Sequence, residues 1–232
     1  MPAGTISHET IYRFVYGQEG REQNLYEHLA MARRRRRQKY GRKPRSSVIP
    51  PENGIANRPD EVATRATFGH WECDLIIFAR QHGKANVTSL QERKTRFLVL
   101  LSNENRQSAG VIGQISKALS PLPRSACQTV TFDRGTEFLS YKALNSNCYF
   151  CDPHSPWQKG GVENANGRIR RHLPLTAAVA DRSAVALAAI AHRLNNTPRR
   201  CLSYQTPAEV FEANLAALTS GGTQIVECCA SA

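Results

Sequence analysis

Apolar positions recur along the chain with two different periods. In ISHETIYRFVYG (6–17), Ile11, Phe14 and Val15 fall at i, i+3 and i+4, the spacing of one helix face, with Ser7 suited to the N-cap and Gly17 to a stop. A second helix is predicted from Asn24, with Leu25 and Leu29 inward, running into an arginine stretch. SSVIPPENGIANRP (46–59), dense in Pro, Asn and Ser, reads as a linker. The period then shortens. HWECDLIIF (70–78) is an apolar run of strand length, and ANVTSLQERKTRFLVLLS (85–102) reads as two strands about a polar turn at 92–95. CQTVTFD (127–133) and YFCDP (149–153) are two further strands. Helical spacing returns at 108–119 (Val111, Ile115, Leu119, before Pro121), in VENANGRIRRHL before Pro174, at 183–195 and at 207–218. Strands with helices interleaved at the sheet edges predict an α/β domain over 57–215. A small helical region at 1–32, a basic segment and linker at 33–56 and a tail at 216–232 complete the expected layout.

An apolar content of 41% supports a sizeable core. The longest apolar stretches, near 183–191 and 97–101, are too short to cross a bilayer, and no charged-then-apolar leader follows Met1. Seven irregularly placed cysteines suit a reducing compartment better than a disulfide framework, so a cytoplasmic chain is expected. Charge changes the picture further. The formal net charge is +12, and RRRRRQKYGRKPR (33–45) holds nine basic residues and no acid. Such a block repels itself and is stabilised beside a polyanion, of which nucleic acid is the usual one. A solvated tail is the plain alternative, and an anionic membrane is disfavoured because no apolar face adjoins the run. Arg33, Arg34, Arg35, Arg36 and Arg37 are thus candidate phosphate contacts, and His8 and Arg13 on the first helix are candidate base-edge readers.

Three acids carry candidate chemistry. Asp74 lies inside an apolar strand, where an ionised carboxylate is costly unless compensated; Asp133 ends a strand; Glu163 opens a helix after Gly160 and Gly161, where the helix dipole favours an anion. Three acids on three elements, two of them at or near strand ends of one sheet, suit a hard cation, Mg²⁺ or Mn²⁺, and with it phosphodiester chemistry. Against this, a strand-end Asp often caps a turn or pairs with an arginine. Glu72 and Glu137 stand nearby, and for both a salt bridge is the expected role. Cys148 and Cys151 are spaced like half a zinc site, but no second pair follows, which favours buried thiols. Trp157 and Tyr149 are either core or stacking platforms for an unpaired base.

The strings FGHWECDLI, VTSLQERKTRFLVLL, VTFDRGTEF, CDPHSPWQKGGVENANGRIRRHLP and RLNNTPRRCLSYQTPAEVF, in that order, closely resemble transposases of the IS-thirty family of bacterial insertion sequences. The resemblance takes in ISHETIYRFVYGQ and extends to about Phe211. It implies a ribonuclease H-like integrase catalytic core preceded by a small helical DNA-binding remnant. It also implies metal-binding, catalytic acids at Asp74, Asp133 and Glu163, and partners in transposon-end and target DNA. The activity implied is DNA cleavage and strand transfer by a protein that oligomerises on DNA. A basic residue seven positions after the glutamate is common in such cores; here it is Arg170, expected with Lys159 and Arg168 to clamp the DNA backbone. Members usually carry a further helix-turn-helix region before the point where this chain starts. Only 29 residues separate Asp133 from Glu163, a few fewer than the family pattern, with the shortfall expected in LSYKALNSNCY. The alternative reading is therefore a catalytically defective, truncated DNA-binding remnant. Localisation is expected to be bacterial, cytoplasmic and nucleoid-associated.

If about six of the nine basic residues in 33–45 touch phosphates, log K for duplex DNA falls against log salt with a slope near −5. Replacing residues 33–37 with Ala should flatten that slope and weaken all sequences alike, as read by fluorescence anisotropy across a salt series.

Overall fold

The computed structural model describes residues 6–36, 49–79, 81, 83–153, 155–178 and 180–221. The chain divides into two compact units, Met1–Ser47 and Val48–Ala232. Arg37, the rest of the basic run and the tail beyond 221 lie outside the described residues.

In the first unit, helix α1 (His8–Val15) is capped as expected: the Ser7 side chain accepts from the Thr10 backbone N–H. Val15 is buried, but Ile11 and Phe14 are about half exposed, so the i, i+3, i+4 stripe does not point wholly inward. A short helix α2 (Gln18–Glu22) follows, unpredicted because QEGRE has no apolar face to give it a period. The helix expected from Asn24 is reduced to a single 3-10 turn, Leu25–His28. Asn24 adopts the left-handed conformation at φ 53° and breaks the path into an α-helix.

The second unit opens with Pro- and Asn-rich 3-10 turns and the short helix α3 (Asp60–Thr64). Five strands then form one sheet: β1 (His70–Ile76), β2 (Asn86–Glu92), β3 (Leu98–Asn103), β4 (Thr129–Phe132) and β5 (Asn147–Phe150). Their order is β3-β2-β1-β4-β5; β1 is antiparallel to β2 and β2 to β3, whereas β1–β4 and β4–β5 pair in parallel. The helices are α4 (Ser108–Leu119), α5 (Gly160–Ile169), α6 (Ala184–Asn195) and α7 (Pro207–Gly221). Period-two alternation decides which residues meet which helix. Trp71, Cys73, Leu90, Val130 and Phe132 pack on Val111, Ile112 and Ile115 of α4, with Phe211 of α7 in the same cluster. On the other face Ile76, Val87, Leu98 and Leu100 meet Ala165 and Ile169 of α5 and Leu187 and Leu194 of α6. Helices cover both faces, which is why β1 and β2 are buried along most of their length. Helix α7 continues past the expected boundary at 215, with Leu218 packed against the core.

Two local devices set the sheet. The turn after β2 is closed by the buried Glu92 carboxylate, which accepts from Thr95 N at 2.6 Å, Thr95 Oγ1 at 2.7 Å and Gly69 N at 3.2 Å. The outer edge of β5 is met by the segment before α3: Asn53 Nδ2 donates to Cys148 O at 2.9 Å, and Gly54 bridges to Phe150 in parallel.

Gly69, immediately before β1, sits at φ +97°, and a Cβ built there would fall 2.3 Å from Ser125 O. Gly69→Ala therefore combines backbone strain with a backbone clash and should cost about 3 kcal/mol. A urea titration with unchanged m-value checks this.

Candidate active site

The site begins with strand register. Parallel pairing sets Glu72 of β1 level with Thr131 of β4, and the same offset two residues on sets Asp133 beside Asp74. Two carboxylates so placed repel unless a positive charge stands between them. Lys159, at the end of the 3-10 turn Pro156–Lys159, supplies it. Its Nζ donates to Asp74 Oδ1 at 3.1 Å, to Asp133 Oδ2 at 3.2 Å and to Cys73 O at 3.2 Å. Burial works to lower the Lys159 pKa, yet the two carboxylates hold it above the ordinary lysine value, so the ammonium stays charged.

Helix α5 completes the arrangement. Asn166 Nδ2 donates to Asp74 Oδ2 at 2.7 Å, while its Oδ1 accepts from Ser89 Oγ of β2 at 2.7 Å. The Gly135 backbone N–H donates to Asp133 Oδ1 at 2.9 Å. The buried Glu72, on the same strand face as Asp74, ion-pairs with Arg93 and accepts from Val162 N at 2.8 Å, which fastens the first turn of α5 to β1. Gly161 permits the approach, since a Cβ there would meet Glu72 Oε2 at 2.6 Å. Burial, then the like charges of Arg58, Arg65 and Arg96, push the Arg93 pKa down to about 9, which still leaves it protonated at neutral pH.

Glu163 lies on the same flank of α5 as Lys159 and Asn166, one turn from each, and is exposed. Among the described residues no three acids, histidines or cysteines are grouped to hold a metal. The expected convergence of three acids is thus found for Asp74 and Asp133 alone: their common cation is the Lys159 ammonium, and the Glu163 side chain stays in solvent. The donor set nonetheless suits a hard divalent ion. Two carboxylate oxygens already face one cationic centre, a third acid stands one helical turn away, and all three are of the oxygen class that Mg²⁺ takes.

The other expected site residues are dispersed. Lys159, expected on the DNA backbone, is buried against the aspartates instead, because two partly desolvated carboxylates attract it more strongly than open solvent does. Arg170 Nη2 donates to Ile77 O at 2.7 Å and its guanidinium lies 5.2 Å from the Phe78 ring, so it closes the end of β1 rather than reaching outward. Arg168 is half-buried on the opposite flank of α5. In the first unit Arg33, Arg34, Arg35, His8 and Arg13 are exposed, whereas Arg36 is held by Glu9 in a bidentate pair at 2.8 and 2.6 Å. Glu137 pairs with Arg106 at 2.9 Å, as Glu72 does with Arg93. Cys148 and Cys151 are buried, and burial pushes their thiols up to about 12 and about 11. Trp157 is exposed, two residues before Lys159. Sequence reasoning missed Asn166 and Ser89; the only available signal was an amide three residues after Glu163, a spacing that puts both on one helix face.

The chain is 36% identical over 93% of its length to the transposase for insertion sequence element IS1086 of Cupriavidus metallidurans. It is 32% identical over 91% of its length to transposase InsI for insertion sequence element IS30C of Escherichia coli. The chain is thus similar to transposases of the IS30 type. It spans 65% of the first relative's length and 57% of the second's. No family model matches the chain. Among solved structures, a chain of the simian T-cell lymphotropic virus intasome in complex with PP2A regulatory subunit B56 gamma superposes with a TM-score of 0.51 at 15% identity. That match covers 62% of this chain and 54% of the other. The expected α/β, ribonuclease H-like integrase fold is therefore the fold found. Among the described residues no helix is long and apolar enough to cross a membrane.

Glu72→Gln removes the charge opposite Arg93 and should cost about 3–5 kcal/mol, the penalty of stranding a buried cation. Hydrogen exchange should show α5 losing protection first, and urea unfolding gives the magnitude.

Proposed function

We propose that this chain cuts DNA at the ends of an insertion sequence and joins the freed 3′-hydroxyl to target DNA. The observation that carries the reading is the pairing of Asp74 and Asp133 on one cationic centre, in an integrase-type core similar to transposases of the IS30 type. Asp74 and Asp133 would hold Mg²⁺ or Mn²⁺, with Glu163 as the adjacent third acid. When bound, the ion supplies an activated hydroxyl and stabilises the leaving oxygen. The protein's own residues do the positioning. Asn166, anchored by Ser89, fixes the Asp74 carboxylate, and Gly135 N–H fixes that of Asp133. Lys159 offsets their mutual repulsion and keeps them side by side. The exposed Trp157 offers a face for an unpaired base at the cleavage point.

The short interval between Asp133 and Glu163 does not favour the catalytically defective reading. It is taken up by the single-turn helices Thr136–Phe138 and Tyr141–Ala143 before β5, and α5 still docks through Lys159, Asn166 and Val162. The exposed arginines at 33–35, with His8 and Arg13, would add DNA contacts from the helical region, while residues 57–215 carry the chemistry. Action as a homo-oligomer on DNA in the bacterial cytoplasm, associated with the nucleoid, completes the reading.

Asp74→Asn or Asp133→Asn should lower strand cleavage at least about 100-fold while leaving DNA binding intact or slightly tighter, since a negative charge near phosphate is removed. Glu163→Gln should behave likewise, and a chelator should abolish wild-type cleavage until Mg²⁺ or Mn²⁺ is restored. Gel assays of nicked and joined products check this. Cleavage near the wild-type rate in either aspartate variant would sink the assignment.

A further inference from the structure

Across α5 from the aspartates, three arginines from three elements line one cleft. Arg96 comes from the turn between β2 and β3, Arg168 from α5 and Arg199 from the loop after α6, with Gln91 and Asn195 as neighbours. Asn195 is spent on the backbone of Leu98, donating to its O at 2.8 Å and accepting from its N at 2.9 Å. Gln91 Nε2 donates to Arg96 O at 3.4 Å. Neither supplies negative charge. Among the described residues no ion pair involves any of the three arginines. Arg199 Nη2 donates to Leu194 O at 3.0 Å, but its Nε is buried with no hydrogen-bond partner. Burial first, then the charge of Arg168, holds the Arg199 pKa below its ordinary value. An uncompensated guanidinium cluster with an orphaned donor is costly to keep unless an anion completes it.

The backbone adds an independent observation. Arg96 sits at φ 63°, in the left-handed region where glycine is the default residue. An arginine held there at the expense of stability points to work done by its side chain.

We propose that this cleft binds the phosphodiester backbone of DNA on the flank of α5 opposite the acid pair; the proposal rests on the DNA reading above. Guanidinium forks match phosphate oxygens in pairs. A helix with its side chains is about 10–12 Å across, close to the roughly 12 Å of the major groove. The two flanks of α5 are therefore spaced to meet phosphates on either side of one groove.

The test uses the full chain and a short fluorescent duplex in the presence of chelator, so that cleavage does not intervene. Arg168→Gln/Arg199→Gln should weaken binding about tenfold near 0.1 M salt and flatten the salt slope by about 2. Lys117→Gln/Arg124→Gln, which removes the same charge from exposed positions on and beyond α4, should change binding less than about twofold. Arg96→Gly should weaken binding about threefold while raising the unfolding midpoint by about 2 °C, because glycine relieves the left-handed backbone. A purely structural arginine would not produce that opposition. Equal losses in the control pair would overturn the site in favour of general charge. Inorganic phosphate stabilising the wild type but not the double variant, with duplex binding unchanged, would make it a small-anion site and overturn the DNA assignment. If Arg168→Gln/Arg199→Gln fails to fold, Arg168→Gln alone with Arg96→Gly decides, and unchanged binding in both overturns the proposal. A wild type that cleaves DNA while the variants bind normally leaves the catalytic reading standing; a wild type that neither binds nor cleaves overturns both.

Discussion

Parallel pairing between β1 and β4 is the constraint on which the site depends. It runs the two strands in one direction at a fixed offset, so that an acid in the middle of one and an acid at the end of the other come out side by side. The sheet thereby creates an electrostatic problem that the rest of the domain answers. The ammonium of Lys159 stands between the carboxylates, the amide of Asn166 holds one from the side, and a backbone N–H holds the other. None of these groups is local in sequence to Asp74. Lys159 and Asn166 arrive because α5 lies across β1 and β2, its first turn fastened by Glu72, while the N–H of Gly135 comes from the turn after β4.

That fastening explains Gly161 at the start of α5. The carboxylate of Glu72 needs the helix N-terminus close enough to accept from Val162 N, and any side chain at 161 would intrude. The Glu72–Arg93 pair is buried at a cost in desolvation, and its return is orientation: it connects strand, hairpin turn and helix through one pair of charges. The same hairpin turn carries Arg96, so the elements that orient the acids also position the basic cleft on the far flank.

Much of the fold was legible in the sequence because both faces of the sheet are covered. Runs such as HWECDLIIF and FLVLLS have no reading except buried strands, and Ser108–Leu119 and the 184–195 stretch repeat at helical spacing. Asp74 stood out as a charge in an apolar strand, and Asp133 as one at a strand end. The rest was illegible for physical reasons. Lys159 reads as a surface lysine beside two glycines, and only the three-dimensional register of β1 and β4 turns it into a counter-charge. Helix α2 has no apolar face to betray it, and the left-handed backbone at Asn24 overrides the apolar spacing that follows. Arg170 shares a face with Glu163 by count, yet the last turn of α5 ends over Phe78 and draws the guanidinium to Ile77 O.

The contact of residues 53–54 with β5 has a consequence beyond packing. A strand at the border of a sheet presents unpaired backbone donors and acceptors, a template on which a second molecule can add a strand. Here Asn53 occupies one of those acceptors and Gly54 bridges alongside Phe150, so the Pro-rich stretch before α3 acts as a guard rail on that border. The stretch that reads as a mere linker in sequence thus leaves that border less open to edge-to-edge pairing with a second molecule.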